Sequence, residues 1–286
     1  MARPQKLILV PTDFSHVAEC AINHAGMIAQ KSENSMLLLH IITKEIQSEL
    51  SKKKDAFLAL EKKLELQAQY YSSKFNVTVD FLLKEGSIFN EIGSVASEVN
   101  ASLIIMGTHG VKGIQHLTGA YALKVIASSK VPIIIVQNKL PRQEGYFEIV
   151  SPIDASFDTR QKTLQTIAIA KIFNAHVHLF RMSVSDLATE NEIQLNVNYV
   201  KKFLSDHEIL FTLSTQEYKG GDFIKDLFHY SKKVEADLII ILTTAQKGIK
   251  DKVLGPVEQQ VINNIEQIPV MCVNPLQSIY KNEIMI

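Results

Sequence analysis

The sequence has almost no cysteine and no excess of charge of either sign. Cys20 and Cys272 stand far apart in 286 residues, which argues against a disulfide-stapled secreted fold and leaves no CxxC pair. The 30 Lys and Arg residues balance 30 Asp and Glu residues, so the formal net charge is zero. Because proteins that coat nucleic acid or anionic lipid need an excess of basic residues, we expect neither as a partner.

Long apolar runs are also missing. The longest, such as Val131 to Val136, are far shorter than the roughly 20 residues that a transmembrane helix needs. Near the amino end only four apolar residues, Leu7 to Val10, precede Pro11, whereas an export signal needs about 7–15. We therefore expect a cytoplasmic protein without membrane contact.

Several segments of the sequence occur twice, once in each half of the chain. The segment Pro11-Thr-Asp-Phe-Ser15 follows a short apolar run and returns as Pro152-Ile-Asp-Ala-Ser156. The later apolar run at 131–136 returns at 268–273, in the same order and again about 140 residues further along. Matches in one order at nearly one spacing indicate a duplicated unit.

The duplication predicts two domains, residues 1–140 and 146–286, joined where Pro, Gly and charged residues interrupt the pattern. Within each repeat, short apolar runs alternate with helical patterns, which is typical of an α/β fold with a parallel sheet covered by helices on both faces. Ser15 is a good helix N-cap, and the charged stretch Lys44–Ser73 predicts one long helix.

Two segments of the first repeat should meet where ligands bind such sheets, at the carboxyl ends of the strands. Pro11-Thr-Asp13 follows the first strand, and Gly107-Thr-His-Gly110 follows the fourth, with Gly119-Ala120 opening a helix beyond it. Glycine-rich backbone and a helix N-terminus suit an anion, and a carboxylate opposite suits a ribose hydroxyl or a metal. The spacing alone leaves ordinary turn-forming glycines as the alternative.

These residues resemble the universal stress protein family over essentially the whole chain, as two tandem family domains. The resemblance rests on Pro-x-Asp-x-Ser after the first strand, His40 near the end of the second, and Met-Gly-Thr-His-Gly before a glycine-led helix. It implies two flavodoxin-like domains of the adenine nucleotide alpha hydrolase-like type, each a five-stranded parallel sheet of order 3-2-1-4-5. It also implies that the two domains pair through their last strands within one chain, and it leaves a homodimer open.

Some family members bind ATP or AMP, with Mg²⁺ accompanying ATP, through the pattern Gly-x2-Gly-x9-Gly-[Ser/Thr]; others lack the pattern and do not. Here only eight residues separate Gly110 from Gly119, and Ala120 replaces the hydroxyl residue, which removes a phosphate hydrogen bond. Asp13 and the backbone at Ile41 match the positions that contact adenosine. The resemblance thus implies nucleotide binding at Pro11, Thr12, Asp13, Ile41, Met106, Gly107, His109, Gly110, Gly119 and Ala120.

The second repeat departs further from the pattern. It has Thr243-Thr-Ala-Gln246 in place of the glycine loop, and Pro256, which lacks an N–H, follows the surviving Gly255. Asp154 is retained, but a carboxylate that caps a strand-to-helix turn needs no ligand. We expect this half to have lost nucleotide binding and to serve domain pairing or recognition of a partner protein.

No catalytic or metal-binding residue is predicted. His176-x-His178 has a metal-like spacing, since both imidazoles share one face of a strand, but no Asp, Glu or Cys stands nearby in the sequence to complete a site. The sequence has no Walker loop, HExxH or GxSxG. The leading hypothesis is therefore a non-enzymatic stress-response protein. A scaffold that binds no nucleotide and acts only through protein interactions, and a slow Mg²⁺-dependent ATP hydrolase, remain as alternatives.

Overall fold

The computed structural model describes residues 5–52, 54–108, 119–217, 223–243 and 254–275, in which strands and helices alternate as the sequence predicts. The strands are β1 (Leu7–Pro11), β2 (Ser35–Ile42), β3 (Val79–Glu85), β4 (Leu103–Gly107), β5 (Ile133–Val136), β6 (Glu148–Ile153), β7 (His176–Ser183), β8 (Phe211–Glu217), β9 (Leu238–Leu242) and β10 (Val270–Val273). The helices are α1 (His16–Ser32), α2 (Lys44–Leu50), α3 (Ala56–Phe75), α4 (Ile88–Glu98), α5 (Gly119–Ser128), α6 (Lys162–Phe173), α7 (Leu187–Asp206), α8 (Phe223–Lys233) and α9 (Pro256–Ile262).

All ten strands form one sheet in the order β3-β2-β1-β4-β5-β10-β9-β6-β7-β8. Each half contributes five parallel strands in the order 3-2-1-4-5, which confirms the predicted fold class. At the centre, β5 and β10 pair in antiparallel orientation, with Met271 opposite Ile134. The carboxyl ends of the strands in the two halves therefore point to opposite edges of the sheet.

The two faces of the sheet carry two apolar layers, and both layers run through both halves. One layer joins Ile8 and Ala21 to Ile149 and Ile167, beneath α1, α3, α6 and α7. The other joins Leu9 and Ile126 to Val150 and Val270, beneath α4, α5, α8 and α9. Each apolar layer is therefore continuous across the centre of the sheet, and the two halves share one hydrophobic core on each face.

Short polar side chains cap the amino ends of α1, α2, α4 and α7, and one helix departs from the sequence prediction. The Ser15 hydroxyl accepts the Ala18 N–H at 3.2 Å, as predicted for the N-cap of α1. The single helix expected over Lys44–Ser73 is wrong, because the chain breaks between α2 and α3. Asp55 takes a left-handed φ of 66° after a cluster of lysines, a conformation that no helix interior accommodates. No helix of the described segments is both long and apolar enough to cross a membrane.

Side chains also join the halves across the central strand pair. The Tyr146 hydroxyl lies 2.7 Å from Nδ1 of His24 on α1, and Nε2 of the same ring lies 2.9 Å from the Lys139 carbonyl oxygen. Because that carbonyl only accepts, Nε2 carries the ring proton and Nδ1 accepts the tyrosine O–H. Gln137 donates to the Asn264 carbonyl at 2.9 Å. His24 is buried, and burial lowers its pKa to about 4.

The buried His24 predicts a loss of stability in acid. The unfolded chain takes up a proton near pH 6.5 whereas the folded ring resists protonation down to about pH 4. Stability from this group is therefore fully present above pH 6.5, and about 3 kcal/mol of it is lost as the pH falls to 4. Urea unfolding at several pH values should show a shallower slope for His24→Gln than for the wild type. His16→Gln, at an exposed site, is the control, and equal slopes for all three proteins would contradict the prediction.

Gly107 at the end of β4 lies directly against α1. A Cβ atom at this position would be 2.6 Å from the Val17 carbonyl oxygen and 2.6 Å from Val17 Cγ1, well inside contact distance. A backbone oxygen within a helix cannot move aside as a flexible side chain does. The close approach of α1 to β4 therefore requires glycine here, independently of any ligand.

We expect Gly107→Ala to destabilise the fold by about 1–3 kcal/mol in urea unfolding, because the added methyl group overpacks the contact between α1 and β4. Adding Val17→Ala should restore little of this loss, since the clash with the backbone oxygen remains. Gly93→Ala on α4 is the matched control, because no atom outside its own helix lies within 4 Å of the added Cβ. Full rescue by Val17→Ala would mean that only the side chain is in the way.

Candidate functional site

A cavity of about 980 Å³ opens at the carboxyl ends of β1 and β2 in the N-terminal half. Its lining includes Pro11, Thr12, Asp13 and Ile41, four of the ten residues predicted to bind nucleotide. They meet because β1 and β2 are parallel neighbours, so the loops that follow them leave the sheet at the same edge. The cavity has the size range of small-molecule sites.

The loop after β1 is held in one conformation by its own side chains. Asp13 Oδ1 accepts the Ser15 N–H at 3.0 Å, and Thr12 Oγ1 accepts the Phe14 N–H at 3.2 Å. Phe14 takes a φ of 62°, which bulky residues rarely adopt, so these contacts stabilise a strained turn. The second oxygen of Asp13 has no hydrogen-bond partner within the described parts of the chain, so it is available to accept a hydrogen bond.

His40, near the end of β2, lines this cavity, and one of its ring nitrogens is buried without a hydrogen-bond partner among the described residues. Its Nδ1 lies 2.8 Å from the Thr12 carbonyl oxygen, which only accepts, so Nδ1 carries the proton. Burial lowers the pKa of His40, and the ring is neutral at neutral pH with Nε2 as an acceptor. This Nε2, like the Thr108 hydroxyl just beyond β4, is buried without a partner among the described residues.

None of the other six residues predicted to bind nucleotide is among the described residues that line this cavity. Met106 is fully buried in the apolar layer, and Gly107 is explained by its contact with Val17. His109 and Gly110 lie outside the described residues. Gly119 and Ala120 open α5, as the sequence predicts for the helix start.

Several lining residues were not predicted from the sequence. Lys44, Glu45 and Glu49 come from α2, and Glu85 to Ile88 from the junction of β3 and α4. The signal for the last group was Gly86-Ser87, a turn directly after an apolar strand, where Ser87 caps α4. Carboxylates outnumber the single lysine in this lining, so this part of the cavity suits hydroxyls and amines better than phosphates.

The corresponding loop of the C-terminal half is occupied by the protein's own side chains. The Lys162 ammonium donates to the Pro152 carbonyl oxygen, and Asn196 donates to the carbonyls of Asp154 and Ser156, each at 2.9 Å. Burial lowers the pKa of Lys162 to about 8. Arg181, which stands where His40 stands in the first half, pairs with the Glu190 carboxylate on α7.

A carboxylate that is distant in the sequence lies beside His176 and His178. The pairing of β6 with β7 puts Glu148 opposite His176. Ligand atoms of all three side chains lie within 4.8 Å of one another. Glu148 was missed because it is distant in the sequence, and only the strand register brings it to the histidines.

Comparison with known proteins places the site in a family. A model of the Universal stress protein family matches residues 5–137. Universal stress protein MJ0577 of Methanocaldococcus jannaschii is 30% identical over 160 residues, covering 47% of this chain and 96% of that protein. Universal stress protein MJ0531 of the same organism is 30% identical over 152 residues, covering 49% of this chain and 85% of that protein.

Both halves together resemble a solved structure. A universal stress protein from Archaeoglobus fulgidus superimposes with a TM-score of 0.76 at 16% identity, covering 94% of this chain and 98% of that chain. At this identity the likeness concerns the fold, and it extends over the whole ten-stranded arrangement. Together with the two relatives matched over most of their length, it agrees with the resemblance on which the sequence prediction rests: the chain belongs to the universal stress protein family.

Proposed function

We propose that this protein is a non-enzymatic stress-response protein that binds an adenine nucleotide, ATP or AMP, in its first domain, residues 1–140. The second domain, residues 146–286, would serve intramolecular pairing and contact with a partner protein. The observation that carries the proposal is the cavity at the ends of β1 and β2, which brings Asp13, His40 and Ile41 together. The loop in the other half is closed by Lys162 and Asn196.

Each group in this cavity has a role that suits one part of a nucleoside. The unpaired oxygen of Asp13 accepts ribose hydroxyls, and the backbone at Ile41 takes the edge of adenine. Phosphates would extend toward the amino end of α5, where the helix dipole favours an anion. Mg²⁺ would accompany ATP there and neutralise its phosphates.

Binding rather than turnover is the function that these groups support. Phosphoryl transfer needs groups that neutralise the transferred phosphate and position its attacker, and the sequence carries no Walker loop to supply them. A ligand that bridges the loops after β1 and β2 stabilises one arrangement of them, and a partner that prefers that arrangement then binds more tightly. The protein would signal by this coupling.

A second candidate is a scaffold that binds no nucleotide and acts only through protein contacts. The observation that favours it is the altered phosphate motif, with eight residues before Gly119 and Ala120 in place of a hydroxyl residue. Loss of one charge-assisted hydrogen bond weakens binding by roughly ten- to a hundred-fold. Measuring the affinity of the protein for nucleotide therefore distinguishes the scaffold hypothesis from the nucleotide-binding hypothesis.

Calorimetric titration of the full chain with AMP, and with ATP plus Mg²⁺, should show one binding site. Asp13→Asn should weaken it by roughly tenfold or more, because the variant keeps the turn to Ser15 but loses the charged acceptor. Asp154→Asn is the matched control, since Asp154 makes the same 3.0 Å turn contact with Ser156, and its affinity should equal that of the wild type.

The alternatives give different results in the same titration. Absence of heat and of any thermal shift at millimolar nucleotide would leave the scaffold. Equal loss in Asp13→Asn and Asp154→Asn would place the site elsewhere. Release of phosphate that persists through purification and disappears in Asp13→Asn would establish the slow hydrolase instead.

A further inference from the structure

Three side chains converge on one face of the sheet at the amino ends of β6 and β7. Glu148 begins β6 and is paired in register with His176, which begins β7. His178 stands two residues further along β7, and alternate residues of a strand share a face. The three side chains are therefore held by neighbouring backbones of the sheet rather than by a flexible loop.

The distances within this cluster approach those of a metal site. Glu148 Oε2 lies 2.5 Å from His178 Nε2 and 3.4 Å from His176 Nδ1. A tetrahedral Zn²⁺ ion with bonds of about 2.0–2.1 Å sets its ligand atoms roughly 3.3 Å apart. The contact with His176 already has this spacing, and the contact with His178 must widen by less than about 1 Å.

A second layer of hydrogen bonds orients His178 toward the shared point. Its Nδ1 lies 3.1 Å from the Tyr230 hydroxyl on α8 and 3.1 Å from the Thr212 hydroxyl on β8. Metal-binding histidines usually donate their other ring N–H to such a partner, which fixes the ring and its tautomer. These contacts leave Nε2 directed at Glu148.

The exposure of the cluster allows an ion to enter and water to complete its coordination. The His178 side chain is 8% exposed, whereas those of His176 and Glu148 are 23% and 31% exposed. Nε2 of His176, the ring nitrogen that does not face Glu148, is buried and has no hydrogen-bond partner in the described segments, so it contributes nothing to this site.

We propose that Glu148, His176 and His178 form a binding site for one Zn²⁺ ion, with water as the fourth ligand. Two imidazole nitrogens and one carboxylate favour zinc and its transition-metal neighbours over Mg²⁺ and Ca²⁺, which prefer oxygen ligands. The ion would take the place of the proton between His178 Nε2 and Glu148 Oε2, and His178 Nδ1–H would donate to Tyr230 or Thr212.

This site is separate from the proposed nucleotide cavity. Because β5 and β10 are antiparallel, the amino ends of β6 and β7 lie at the same edge of the sheet as the carboxyl ends of β1 and β2. The phosphates and Mg²⁺ are proposed to lie near the end of β4, and four strand spacings, roughly 19 Å, separate β4 from β6. The ion therefore cannot be the Mg²⁺ that accompanies ATP.

The test is a titration of the untagged, chelator-treated full chain with Co²⁺, without nucleotide, followed in visible absorption. We expect one Co²⁺ per chain with the intense bands of a tetrahedral site, displaced by one equivalent of Zn²⁺ and not by millimolar Mg²⁺. His176→Gln and Glu148→Gln should each weaken binding by roughly tenfold or more, because each removes one ligand. His16→Gln is the matched control, since His16 is also near a glutamate, Glu19 at 4.0 Å, but outside the cluster.

Melting curves without metal establish that each variant is folded, and His176→Gln decides the matter alone if Glu148→Gln does not fold. Zn²⁺ should also raise the melting temperature of the wild type but not that of His176→Gln. Absence of stoichiometric binding at millimolar Co²⁺ and Zn²⁺ would overturn the proposal. Binding by His176→Gln and Glu148→Gln equal to that of the wild type would overturn it as well. Because nucleotide is absent, neither result depends on the function proposed for the first domain.

Discussion

The strands β5 and β10 exchange backbone hydrogen bonds at the middle of the sheet, and each is the last strand of its own half. The pairing joins two five-stranded sheets into one and lets both apolar layers continue across the junction. Its antiparallel sense also sends the carboxyl ends of the strands in the two halves to opposite sides of the molecule. The buried contact between His24 and Tyr146 then fixes α1 against the start of the second half.

The two halves contain the same turn after their first strands, but the side chains around it differ. Asp13 and Asp154 each accept the N–H of the serine two residues later at 3.0 Å, so the repeated Pro-x-Asp-x-Ser pattern is explained by local backbone geometry in both halves. What differs is the surroundings. His40 lines a cavity beside Asp13, whereas Arg181 and Lys162 turn their charges inward and pair them with the Glu190 carboxylate and the Pro152 carbonyl oxygen. A repeated motif therefore marks a common turn, and the neighbouring side chains decide whether a ligand has room.

The sequence predicted what depends on local pattern and on repetition. Strand order, the cap at Ser15 and the helix start at Gly119 follow from short apolar runs, capping residues and a family resemblance, and all are present. Glu148 beside His176 was not predicted, because strand register is a long-range property that no spacing in the sequence records. Gly107 was assigned to a phosphate loop, but its closest constraint is the backbone of Val17, which only three-dimensional packing reveals. The break at Asp55 was missed because no Gly or Pro stands between Lys44 and Ser73 to mark it.

The covalent link between the halves has a consequence for how such a chain changes over time. Two separate subunits that pair through their last strands must find each other at cellular concentration, and a weakened interface would dissociate. In this chain the second half is always present at a local concentration set by a short connection, typically millimolar. Its Arg142, in that connection, is held 3.0 Å from Asp237. One half can therefore lose a ligand site, and acquire other chemistry, without losing its partner.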